Sequence, residues 1–97
     1  LYNLGVILHA MKRYEEALEI KRQVVALEPL NAWHLNSLGV TLHAMKRYEE
    51  AREKKQQALD LEPENARYLN SLDITLHEMK RQADPRSAWL QGGRHSA

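Results

Sequence analysis

Cysteine and phenylalanine are both absent from this chain of 97 residues. Without thiols there is no disulfide frame, no thiolate metal site and no cysteine nucleophile. Neither sign of charge dominates: 14 Lys and Arg face 13 Asp and Glu, a formal charge of +1, so no overall field marks the chain for nucleic acid or a membrane surface. No apolar run approaches the roughly 18 residues of a membrane span, and the first residues lack the basic-then-apolar layout of a signal peptide. A cytoplasmic location is therefore the expectation. The length leaves room for one small domain, so a two-domain enzyme is not expected within this piece. The chain starts at Leu1 rather than Met, which suggests a piece of a longer protein.

What the sequence does have is repetition. LGVILHAMKRYEEA, from Leu4 to Ala17, returns as LGVTLHAMKRYEEA from Leu38 to Ala51, an offset of 34 residues. Residues 1–34 and 35–68 share 22 identities. A third copy opens with LNSLDITLHEMKR, Leu69 to Arg81, and then stops. Such a period signals a repeat array, in which each unit is one supersecondary element.

Within the middle unit Leu35, Leu38, Leu42 and Met45 recur at spacings of 3, 4 and 3, which places them on one face of a helix; Thr41 and His43 break the alternation a strand needs. Tyr48 to Leu61 is rich in helix formers and carries Tyr48, Ala51, Ala58 and Leu59 at helical spacing. Glu62-Pro63 ends that helix, because proline removes a donor and restricts the residue before it. Asn31 and Asn65, two residues past each proline, are suited to cap the helix that follows. Each unit is thus a helix pair.

A 34-residue helix pair with Leu-Gly in its first helix, Tyr-Glu-Glu-Ala opening the second and Glu-Pro closing it resembles the tetratricopeptide repeat, over residues 1–81. The family's glycine falls on Gly5 and Gly39, its small second-helix residues on Ala17, Ala51 and Ala58, and its terminal proline on Pro29 and Pro63. The resemblance implies an all-α, right-handed α-solenoid of antiparallel helix pairs. Gly39 facing Ala51 or Ala58 would let two helix backbones approach closely. The chain also departs from the pattern. Lys21 and Lys55 stand where the family usually has a large aromatic, and Asp73 replaces the third glycine. Lys12, Lys46 and Lys80 occupy a helix-end position often held by glycine, where positive φ would cost each about 1 kcal/mol.

The reading divides the chain into a first repeat over residues 1–31 with a truncated first helix, a second over 32–65, the first helix of a third over 66–81, and a divergent tail over 82–97. Asp84-Pro85 is a plausible start for a short helix over 85–91, ending at Gly92. Its Trp89 and Leu90 would then cover Leu72, Leu76 and Met79. With the tail disordered, that same apolar face is a candidate for self-association into a homodimer.

First helices line the concave surface in this family, as the resemblance implies. Rotated away from the core stripe are Trp33, Asn36, Val40, His43 and Ala44, with counterparts Arg67, Asn70, Ile74, His77 and Glu78, and Tyr2, Val6, His9 and Ala10. Asn side chains that bond a backbone, beside apolar pockets, suit a peptide partner. One subclass of the family clamps the C-terminal carboxylate of heat-shock chaperones. Of its positions here, Tyr2, Val6, Ser37, Arg67 and Ser71, only Arg67 is of the required type, so no such clamp is expected.

Other chemistry finds little support. His9, His43 and His77 recur at the repeat period, but neighbouring helices pack about 8–10 Å apart whereas zinc holds nitrogens at about 2 Å. The outer two are too distant to share an ion, and no metal or cofactor is expected. No Gly-rich phosphate loop or nucleophile motif surrounds the serines, so catalysis is not expected either. Lys12-Arg13, Lys46-Arg47 and Lys80-Arg81 form a basic ladder that Glu15-Glu16 and Glu49-Glu50 largely neutralise. That neutrality argues against the RNA-reading helix-pair proteins, the main competing class. The expected function is a protein-interaction scaffold binding a peptide in the concave groove; the alternative is a structural segment of a longer, self-associating array.

Overall fold

The computed structural model describes residues 2–83. They form five helices, α1 (Tyr2–Ala10), α2 (Tyr14–Leu27), α3 (Ala32–Ala44), α4 (Tyr48–Leu61) and α5 (Ala66–Ala83), and no strand. Helices pack as α1 on α2 and α3 on α4, with α2 against α3 and α4 against α5 joining successive pairs. The architecture is the expected all-α stack of helix pairs with a 34-residue period. The short helix expected over 85–91 lies outside the described residues.

Each boundary has a local cause. Helix α1 closes with Lys12 at φ 61°, which lets the Lys12 amide donate to His9 O and the Arg13 amide to Leu8 O, both at 2.9 Å. Lys46 at φ 63° repeats this closure on His43 O and Leu42 O. These bonds satisfy carbonyls that a helix end leaves unpaired. Helices α2 and α4 have no side-chain N-cap, but Glu15-Glu16 and Glu49-Glu50 sit in their first turns, where the helix dipole favours negative charge. The two asparagine caps form as expected: Asn31 Oδ1 accepts from the His34 amide at 3.2 Å, and Asn65 Oδ1 from the Arg67 amide at 2.9 Å.

Lys80 differs from its two counterparts. It lies inside α5 instead of taking positive φ, and the helix continues to Ala83. In the earlier copies Tyr14 and Tyr48 stack edge-on against His9 and His43 and seal the turn. Gln82 holds that register in the third copy, so nothing repays the strain of a left-handed lysine.

Two buried clusters hold the stack. Leu18, Leu38, Leu42 and Ala51, with Val25 and Met45 against them, join α2, α3 and α4. Ala32, Leu35, Ala58 and Tyr68, with Val25 and Leu59, join α3, α4 and α5. Burying each such leucine contributes about 1.5–3 kcal/mol. The close approach expected between Gly39 and Ala51 is present, and Lys55 comes closer still. A Cβ there would lie 2.6 Å from Lys55 Cγ and 3.2 Å from Ala51 O, so the glycine makes room for a lysine stem as well as for backbone.

Candidate functional site

Helices α1 and α3 and the first turn of α5 enclose a cleft of about 270 Å³ lined by Val6, Lys21, Trp33, Asn36, Ser37, Val40 and Arg67. Five of these are residues expected in the concave stripe. Arg67 lies over the Trp33 ring, its Cζ 5.1 Å from the ring centroid, a cation–π contact. Asn36 Oδ1 is buried with no hydrogen-bond partner among the described residues.

Lysine 21 forms the cleft's cationic wall. It is 6% exposed, and its Nζ donates to Ser37 O at 3.1 Å across the junction between units. Lys55 repeats the arrangement at the next junction, donating to Ser71 O at 3.0 Å and to Thr75 Oγ1 at 2.8 Å. Burial pushes both ammonium groups down to about 8. The position that usually holds a core aromatic thus holds a cation whose stem crosses glycine and whose tip reaches the following unit.

The histidines are joined to the same junctions. His9 Nδ1 lies 2.9 Å from Thr41 Oγ1, and His43 Nδ1 lies 2.9 Å from Thr75 Oγ1. Both are half-buried, and burial first, then the nearby Lys21 or Lys55, lowers their basicity; Glu78 opposes this at His43. These two rings therefore tie one first helix to the next. His77 is exposed and lines a separate depression on α5 with His43, Asp73, Ile74, Leu76, Glu78 and Lys80. That depression is larger, about 670 Å³, but apart from His43 it is the open side of a single helix. Asn70 sits with Arg67, Leu69 and Asp73 farther along. The side chain of Tyr2 lies outside the described part of the structure.

Of the residues considered for self-association, Leu72 is buried and presents no such surface, Met79 is half-buried and Leu76 is 41% exposed; Trp89 and Leu90 lie outside the described residues. Leu69 and Leu76 correspond in register to Leu35 and Leu42, which are buried beside α4. The arginines of the basic ladder are paired: Arg13 binds Glu16, Arg47 binds Glu50, and Arg81 turns back to Glu78.

Sequence reasoning missed Lys21, Ser37, Thr41 and Thr75 as members of these junctions. A signal existed. The first copy has Ile7 where the second and third have Thr41 and Thr75, the hydroxyls that meet the histidine of the preceding copy. Among the described residues no group of three or more His, Asp or Glu side chains is placed to hold a metal ion, and no helix is long and apolar enough to cross a membrane.

Among solved structures, MamA from Desulfovibrio magneticus RS-1, in a form running from residue 41 to its end, superposes with a TM-score of 0.76 at 29% identity, covering 90% of this chain and 48% of that one. A MamA mutant gives 0.73 at 25% identity, covering 95% and 53%. The chain spans about half the length of these neighbours. No curated protein matches it. The tetratricopeptide repeat model matches residues 1–64. With that match and the stacked helix pairs together, the chain belongs to the tetratricopeptide repeat family, whose repeats generally mediate protein–protein interaction.

Proposed function

We propose that this chain is a non-catalytic interaction module that holds a peptide segment of a partner protein in the groove between α1, α3 and α5. The observation that carries this reading is the cleft, which draws Val6, Trp33, Asn36, Val40 and Arg67 from three helices onto one concave surface. Trp33 and Val6 are each 41% exposed, a rigid aromatic beside an aliphatic wall. Such surfaces anchor partner side chains at low entropic cost. Asn36 lines the same cleft, where its side-chain amide supplies both donor and acceptor capacity for a partner's backbone. Selection of a random nonapeptide library displayed on phage tests the reading. Binders to the wild-type chain are expected to be lost with Val6→Arg and weakened with Asn36→Ala; binders indifferent to both would refute groove binding.

A second reading rests on α5. Leu69, Ile74 and Leu76 are 48%, 53% and 41% exposed. Leu69 and Leu76 occupy the face that a second helix covers in the earlier units, which favours assembly with more repeats or with a second copy. Sedimentation equilibrium would separate these: a dimer dissociated by Leu76→Glu supports self-association, and a monomer at high concentration rejects it.

A further inference from the structure

We infer that the cleft between α1, α3 and α5 is selective for an acidic side chain, Asp or Glu, on the bound peptide. This rests on the groove reading and adds the partner's chemistry to it. Among the described residues, Arg67 and Lys21 are the only charged ones lining the cleft, and no carboxylate lines it. Arg67 is also unlike the other described arginines. Arg13, Arg22, Arg47, Arg52 and Arg81 each lie within 4 Å of a glutamate carboxylate, while Arg67 has no carboxylate partner among the described residues and lies instead on Trp33. Stacking on the ring leaves the edge N–H groups of a guanidinium available to a carboxylate.

Lys21 adds a second, independent observation. It is as deeply buried as a core residue, yet its ammonium has one acceptor among the described residues, Ser37 O. Lys55, in the equivalent place, has two. The difference falls at the cleft: Lys55 also donates to Thr75, whereas Lys21, which lines the groove, makes no such bond to Thr41 among the described residues and keeps ammonium donors to spare. A cation in a partly desolvated wall attracts an anion more strongly than one in water. The peptide is thus held by apolar contact with Val6, Val40 and Trp33, and its acidic side chain is drawn to Arg67 at the rim in the field of Lys21.

Nonapeptides selected from the random phage library, resynthesised with acetylated and amidated ends, provide the test. Each is measured by calorimetry as selected and with its Asp or Glu replaced by Asn or Gln. The expected loss is about tenfold or more for the wild-type chain, as for a charge-assisted hydrogen bond, and about twofold or less for Arg67→Gln. Lys21→Met, checked by its melting curve, is expected to reduce the same discrimination. Arg67 is exposed, so its variant tests the idea without touching the core. Peptides that need Val6 but bind equally in acidic and amide form overturn the acidic selectivity and leave the groove reading standing. Peptides whose binding ignores Val6→Arg and Asn36→Ala overturn both.

Discussion

Thr75 Oγ1 lies 2.8 Å from Lys55 Nζ and 2.9 Å from His43 Nδ1, so one hydroxyl on α5 joins both helices of the preceding pair. Thr41, its counterpart one unit earlier, meets His9 alone among the described residues. A buried hydroxyl with two partners loses more when removed than one with a single partner. Thr75→Val, which keeps the shape, is expected to destabilise the chain by about 2–3 kcal/mol, and Thr41→Val by about 1 kcal/mol. Urea unfolding followed by circular dichroism measures both. Equal losses would mean that the lysine contact contributes nothing.

Lys21 and Lys55 give the chain a pH dependence on the alkaline side. Burial lowers each from 10.5 to about 8. Between those values the unfolded chain binds more protons than the folded one, so stability rises as pH increases from about 8 to 10.5 and is lost as pH falls through about 8. Lys55→Met retains the stem and removes the buried charge. It is expected to stabilise the chain by about 1–2 kcal/mol at pH 7 and by little at pH 10.5, with a flatter alkaline rise. A gain that is the same at both pH values would show that the charge is not what costs stability.

On the acid side, the lowered basicity of His9 and His43 acts in the same direction. As pH falls below 6.5 the unfolded chain takes up protons first, so stability decreases until the folded histidines also protonate. His9→Gln together with His43→Gln is expected to flatten the curve below pH 6.5 while leaving the alkaline rise in place. Thermal melts from pH 5 to 7 check this, and an unchanged acid limb would count against it.

The two glycines are expected to respond oppositely to alanine. At Gly39 an added methyl meets Lys55 Cγ at 2.6 Å and backbone at 3.2 Å, so Gly39→Ala is expected to cost about 1–3 kcal/mol despite alanine's helical preference. At Gly5 the nearest atom is Lys21 Cγ at 3.1 Å, and the three nearest atoms all belong to side chains. There the helical gain of up to about 1 kcal/mol offsets a small adjustment, and Gly5→Ala is expected to be neutral or stabilising. Melting temperatures of the two variants decide it.

Most of the fold was legible because the 34-residue period and the Glu-Pro and Asn punctuation are local signals. The left-handed lysines at 12 and 46 were legible for the same reason. Lys80 was not, because whether a helix stops there depends on an aromatic partner that the third copy lacks. The groove stripe was partly legible: helical geometry placed Val6, Trp33, Asn36, Val40 and Arg67 together. It did not reveal that His9 and His43 turn sideways to threonines, since that depends on the rotation between units. Lys21 and Lys55 read as flaws in a core position. Only the packed structure shows their stems running past glycine to acceptors in the following unit.

The groove itself is tested most directly by two-dimensional amide NMR of the labelled chain titrated with a selected nonapeptide. The account predicts that the Trp33 indole N–H, the Asn36 side-chain amide and the Val6 and Val40 backbone signals shift together, while those of Glu19, Gln23 and Glu53 on the second helices stay fixed. Shifts confined to the second helices, or to Leu69 and Leu76 on the open face of α5, would contradict it.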